Sequence, residues 1–230
     1  MTNRVLFLSG TDTEVGKTHV GVALARELTK RGHRIITVKP VESGVEGEHI
    51  EDGVRLSKAT GQQWPTEALQ RFKAPVAPPI AAEMEHKSID PIFWEKQVNA
   101  LLDKADLVMV EGAGGLLSPL DWDLSLLDFS RKWRSAFVIV DTDSLGAVGR
   151  NRLCLSVLET AETPVLGVVL SAPEHTDQTT GKNANTLSKV VQDTLIATLP
   201  RTDNHAELAE ALKGIIRNIE IHCLPAERTQ

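Results

Sequence analysis

Residues 10–18 read Gly10-Thr11-Asp12-Thr13-Glu14-Val15-Gly16-Lys17-Thr18. An apolar run, Val5 to Ser9, leads into this stretch, and the chain from Thr18 to Lys30 leaves it with helical spacing. Val20, Ala23, Leu24 and Leu28 then share one face. A strand, a glycine loop and a helix in that order form the context in which such a segment holds phosphate. Backbone N–H groups in the loop (Glu14, Val15, Gly16) and at the helix N-terminus point at phosphate oxygens. Lys17 is a point charge able to reach β- and γ-phosphates, and the Thr18 hydroxyl is a ligand for Mg²⁺. The strict pattern spaces its glycines four apart. Here Thr11 occupies the outer position and Gly10 comes one step early. The plainer alternative is a glycine turn that only caps a helix; the ordered strand, loop, Gly-Lys-Thr and helix argue against it.

Working outward, short apolar runs alternate with longer amphipathic stretches. Gly32 closes the first helix, and Ile35–Val38 is the next strand. A helical stretch from Pro91 to Lys104 precedes a strand at Leu107–Val110. Ala136–Val140 is another buried strand, and Pro164 opens a further one at Val165–Leu170. Near-continuous apolar strands separated by helices imply a parallel sheet covered on both faces. Right-handed crossovers make that a three-layer, doubly wound, mostly parallel α/β fold. Glu42 to Glu51 is rich in Gly and acids and has no clear period. Lys73 to Ile80 carries three prolines and reads as a rigid, extended loop. The tail from Arg217 to Gln230 reads as a short strand and then a frayed end. No repeat or linker divides the chain, so one domain over residues 1–230 is expected.

The 230 residues carry a net charge of −6, with 41% hydrophobic and 24% charged residues. Disordered, collagen-like and coiled-coil classes are excluded by that balance. The longest apolar runs, such as Phe137–Val140 and Val165–Leu170, fall far short of a membrane span of about 20 residues. The first residues show no apolar region followed by a small-residue cleavage site, so no signal peptide is expected. Two isolated cysteines, Cys154 and Cys223, make neither a disulfide framework nor a metal site. A reducing cytoplasm suits them. A mildly acidic chain without a basic run argues against a nucleic-acid partner.

In open parallel sheets, ligands bind outside the carboxyl ends of the strands. Three segments follow strands there: Lys39-Pro-Val-Glu-Ser-Gly44, Glu111-Gly-Ala-Gly-Gly115 and Asp141-Thr-Asp143. Glu111 ends an apolar strand, and a carboxylate there holds Mg²⁺ or its water shell. The alternative for it is a helix cap or a surface acid. Gly112, Ala113 and Gly114 let the backbone approach phosphate closely. Lys39 at a strand end neutralises charge in a transition state, unless it is an ordinary solvated lysine. Asp52, in the acidic loop, is weak evidence alone, and Asp141 reads as a group standing behind the site. The histidines at 19, 33, 49, 86, 175, 205 and 222 show no ligand spacing.

The segments Gly10–Thr18, Lys39–Gly44 and Val110–Gly115, in this order and spacing, resemble the signatures of dethiobiotin synthetase, an ATP-dependent family of the P-loop NTPase type. The Pro-rich stretch Ala74–Ile80 is similar to that family's substrate loop. Related ATPases of the partitioning type carry a second lysine in the first segment, where this chain has Asp12. The resemblance implies a ring-closing ligase that joins 7,8-diaminononanoate, CO₂ (or bicarbonate) and ATP through a phosphorylated carbamate. It implies that Lys17 and Thr18 serve the phosphate and Mg²⁺ site, and that Asp52 and Glu111 are the Mg²⁺ carboxylates. Lys39 is then the catalytic lysine, Ser43 and Pro78 belong to the substrate side, and Pro200 belongs to an adenine-side loop. It also implies a homodimer.

Two departures stand out. The family carries an Asn-Asp-type pair after the strand at Val165–Leu170, with Asn reading adenine; this chain has Ser171-Ala172. A hydroxyl lacks the paired donor and acceptor of an amide, so weak base discrimination is expected. The family's Gly-x-x-Asn-His-like stretch reads Gly146-Ala-Val-Gly-Arg150 here. Other classes therefore stay open: an amidotransferase-related synthetase, a nucleotide-dependent switch ATPase, or a diverged homologue acting on another substrate. The lack of a glutaminase Cys-His pattern weighs against the first, and the missing second loop lysine against the second.

Overall fold

In a computed structural model, the structure describes residues 3–46 and 50–225. The elements in chain order are β1 (Val5–Gly10), α1 (Lys17–Lys30), β2 (Ile35–Val38), β3 (Val41–Ser43), α2 (Asp52–Thr60), β4 (Gln70–Phe72), α3 (Pro78–Met84), α4 (Pro91–Leu102) and β5 (Leu107–Gly115). They continue as β6 (Pro119–Asp121), β7 (Leu124–Ser125), α5 (Leu126–Ser130), β8 (Ser135–Thr142), α6 (Ala147–Thr160), β9 (Val165–Ser171), α7 (Asn183–Ser188), β10 (Ile196–Leu199), α8 (His205–Ala211) and α9 (Lys213–Cys223).

Six strands form one sheet in the order β10-β9-β8-β1-β5-β2, and every pairing in it is parallel. Each strand feeds alternate residues to opposite faces. In β1, Leu6 and Leu8 join a core with Leu24 and Leu28 of α1 and Ile215 and Ile219 of α9. Val5 and Phe7 join the other core, with Trp94 and Val98 of α4 and Phe129 of α5. The expected three-layer, P-loop NTPase-like α/β architecture is thus present. β1 lies at the centre, flanked by β5 and β8, so the loop leaving it has strand ends on both sides.

Several sequence readings change. Lys73–Ile80 is not extended throughout: Pro78 and Pro79 occupy the first turn of α3, behind Ala77 at the cap. Proline has no N–H to lose in that turn, and its fixed φ suits it. The tail is not a strand: α9 continues to Cys223, because Ile215, Ile216, Ile219 and Cys223 bury one helical stripe. Residues 226–230, where a frayed end was expected, lie outside the described residues, as do 47–49, including His49. The irregular acidic stretch contributes the end of β3, which pairs in parallel with β4. Arg31 caps α1, and Gly32, with φ of 92°, turns the chain one residue later. β5 runs beyond Val110 to Gly115, and β8 runs to Thr142.

Candidate functional site

The loop between β1 and α1 depends on its two glycines. Gly16 sits at the N-cap of α1 with φ of 95°, a left-handed backbone costly for any other residue. A Cβ on Gly10 would lie 2.5 Å from the Asp12 carbonyl oxygen and 3.0 Å from Lys17 Nζ. The early glycine is therefore required by the loop's own return path, which answers the irregular spacing. Glu14 also adopts positive φ, at 55°. Lys17 Nζ donates to the Asp12 carbonyl at 2.8 Å. Its pKa is lowered to about 8, because burial and the nearby Lys39 cation outweigh the attraction of Glu111, Asp52 and Asp12.

Behind the loop, four further side chains converge. Thr18 Oγ1 donates to Glu111 Oε1 at 2.8 Å. Lys39 Nζ donates to Glu111 Oε1 at 2.6 Å, to Asp52 Oδ2 at 3.2 Å and to the Gly112 carbonyl at 3.2 Å. Lys39 and Glu111 are only 4% and 2% exposed. A charge that deeply buried persists only when paired. Burial works against the Lys39 ammonium, yet Glu111 and Asp52 push its pKa above the ordinary value. For Asp52, burial raises the pKa, but Lys39 and the Thr18 hydroxyl bring it below the usual carboxylate range. Asp52 is the first residue of α2 rather than part of a loop.

The donor set of Thr18, Asp52 and Glu111 is entirely hard oxygen, the chemistry Mg²⁺ selects. Glu111 Oε2 is buried with no hydrogen-bond partner among the described residues, an acceptor that a cation would satisfy. The residues present therefore fit a magnesium ion. Gly114, with φ of 72°, brings the end of β5 beside the loop: its missing Cβ would lie 3.9 Å from Thr13 Cγ2. Ala113 is half-buried between Gly112 and Gly114.

A cleft of about 580 Å³ opens beside the loop, lined by Glu14, Val15, Gly16, Ser171 and Pro200 among others. Residues some 185 positions apart in the sequence reading thus share one cavity. Ser171 Oγ is buried without a partner among the described residues, and a Cβ on Gly16 would lie 2.8 Å from it. Ser43 ends β3, and Pro78 is buried at the start of α3, which packs against β3 and β4.

One group escaped the sequence reading. Glu42 lies inside a quoted segment, but nothing in its spacing marks it; its carboxylate accepts from the backbone N–H of Asp52 and Gly53. Asp141, suspected only as a supporting group, accepts from Thr11 Oγ1 at 2.6 Å, from Arg150 and from Asn151. Arg150, one of the departures noted above, therefore ties α6 to the first residue of the phosphate loop.

A family model described as an AAA domain matches residues 4–207. The chain is 34% identical over 217 residues to the ATP-dependent dethiobiotin synthetase BioD of Anaeromyxobacter dehalogenans strain 2CP-C, a match that covers 93% of this chain and 97% of that relative. It is 35% identical over 166 residues to the enzyme of the same name from Aquifex aeolicus strain VF5, covering 72% and 75%. Among solved structures, the septum site-determining protein MinD from Pyrococcus horikoshii OT3, complexed with Mg-ADP, is similar with a TM-score of 0.60. That match has 15% identity and covers 96% of each chain; at this identity the likeness is one of fold.

Proposed function

This chain belongs to the ATP-dependent dethiobiotin synthetase family, and from that premise we propose that it closes the ureido ring of dethiobiotin in biotin biosynthesis. The substrates are 7,8-diaminononanoate, CO₂ or bicarbonate, and ATP. The observation that carries the reading is the single hydrogen-bonded cluster of Thr18, Lys39, Asp52 and Glu111 behind Lys17 at the mouth of α1. A carbamate and a triphosphate are both anions, and they meet only where positive charge is held in place for them.

In this reading Lys17 binds the β- and γ-phosphates, and the loop N–H groups from Glu14 to Thr18 orient them. Thr18, Asp52 and Glu111 hold Mg²⁺, which when bound screens the phosphate charge. Gly112 to Gly114 present backbone to the phosphates. Lys39 stabilises the charge that develops as the carbamate oxygen attacks the γ-phosphorus; ADP leaves, and the second amine then displaces phosphate to close the ring. No protein nucleophile is required. Ser171 and Pro200 lie on the base side, Ser43 and Pro78 on the substrate side. The chain works in the cytoplasm as a homodimer.

The test is phosphate release with the diamine and bicarbonate each omitted in turn. Release only when both are present is the expected result. Slow release with neither would instead favour the nucleotide-switch reading.

A further inference from the structure

Helix α2 begins without a cap of its own. Its cap residue, Glu51, makes no side-chain hydrogen bond to the helix; that carboxylate pairs with Arg71 Nε at 2.7 Å. The four leading N–H groups of a helix need acceptors, and an uncapped first turn frays. The acceptor arrives from another element. Glu42, in the middle of β3, places Oε1 at 2.6 Å from the Asp52 N–H and Oε2 at 3.0 Å from the Gly53 N–H. Both oxygens of one carboxylate are committed to one helix end, where the macrodipole favours negative charge.

Nothing about this arrangement is a loose surface contact. Glu42 is 7% exposed. Its strand is fixed by pairing with β4, Glu42 opposite Arg71. On the other side of the same turn, a Cβ on Gly53 would lie 2.4 Å from the Ala68 nitrogen, so backbone already fills that space. The start of α2 is held between Glu42 and the 67–68 backbone. The residue whose side chain leaves from that point is Asp52, with Oδ2 at 3.2 Å from Lys39 Nζ.

We propose that Glu42 is a positioning residue for the metal site: by capping α2 it fixes the Asp52 carboxylate beside Lys39, Thr18 and Glu111. The inference rests on the reading of Asp52 as a Mg²⁺ carboxylate. Glu42 acts through the helix end, since its two carboxylate oxygens accept from the Asp52 and Gly53 N–H groups. Its loss frees two N–H groups and lets the first turn of α2 drift, which moves the one Mg²⁺ carboxylate that does not come from the central sheet.

The experiment titrates Mn²⁺ into the full chain saturated with a non-hydrolysable ATP analogue, with free Mn²⁺ read by electron paramagnetic resonance. The unmodified chain is compared with Glu42→Ala, Glu42→Gln and Asp52→Asn, and the melting temperature and metal-free nucleotide affinity of each are recorded. Glu42→Ala is expected to weaken Mn²⁺ binding about tenfold and Glu42→Gln by less, because the amide oxygen still accepts one N–H. Metal-free nucleotide affinity should stay unchanged. If Glu42→Ala does not fold, Glu42→Gln decides. Unchanged Mn²⁺ affinity in the Glu42 variants, with a loss in Asp52→Asn, overturns the positioning role alone. A loss of metal-free nucleotide affinity as large as the Mn²⁺ loss overturns it too, since the damage is then general. Unchanged affinity in Asp52→Asn overturns the reading of Asp52 itself.

Discussion

Lys39 is a charged side chain 4% exposed, held inside the protein by two carboxylates. Fixed charge in a water-poor site acts on developing charge without first having to reorganise. Lys39→Gln should therefore lower kcat by about 100-fold while ATP affinity changes little, because in the proposed reading the phosphates rest on the loop and Lys17. Equal losses in kcat and ATP binding would reduce Lys39 to a general anion anchor. Ser171 makes the opposite kind of prediction. Its hydroxyl lines the cleft proposed for the base and lacks the paired donor and acceptor of an amide, so preference for ATP over GTP or CTP should be only about tenfold, roughly 1.4 kcal/mol. Ser171→Asn should raise that preference. Turnover with each triphosphate at subsaturating nucleotide measures it, and strict ATP selectivity in the unmodified chain would sink the idea. Lys17 and Thr18 were legible from the strand, glycine loop and helix in that order, and Lys39 and Glu111 from a second rule, polar residues at the ends of parallel strands. Glu42 was not, because its partners are backbone N–H groups that no residue type announces.

At the level of elements, two glycines in helices behave oppositely. A Cβ on Gly53 would meet the Ala68 nitrogen at 2.4 Å and the Glu67 carbonyl carbon at 2.7 Å. Both are backbone and cannot turn aside, so Gly53→Ala should cost about 1–3 kcal/mol as α2 moves off its seat. Gly149, exposed near the start of α6, has nothing within 4 Å of its Cβ position. Gly149→Ala should instead stabilise by about 0.5–1 kcal/mol, since alanine has less unfolded-state freedom to lose. Thermal melts separate the two, at about 2–4 °C per kcal/mol for a chain of this size; shifts of the same sign would refute the packing argument. The elements misread from sequence share a cause. Prolines suit either an extended segment or a helix's first turn, and only the seat on β3, β4 and β6 makes Pro78–Met84 a helix. In α9 the burial of one stripe, not local preference, decides.

For the molecule as a whole, Leu117, Leu145 and Leu153 are 59%, 73% and 71% exposed, and Leu117 and Leu153 line one groove with Thr11 of the phosphate loop. The proposed homodimer would cover this face. Leu153→Lys should then shift the mass seen by light scattering from two chains towards one; a monomeric unmodified chain would remove the dimer from the account. The sequence by itself determined the alternation of strand and helix, the phosphate loop and the carboxyl-end rim on which polar residues collect. Those properties follow from local periodicity and from the direction shared by all strands of a parallel sheet. Only the tertiary structure decided which rim residues meet. Strand order places β1 between β5 and β8 and puts β2 beside β5, and that order brings Lys39 to Glu111 and Asp141 to Thr11. It also decided that Glu42 caps a helix ten positions away and that Ser171 faces Gly16. Contacts between distant segments depend on how layers stack, and layer stacking is set by the summed burial of many side chains rather than by any short stretch.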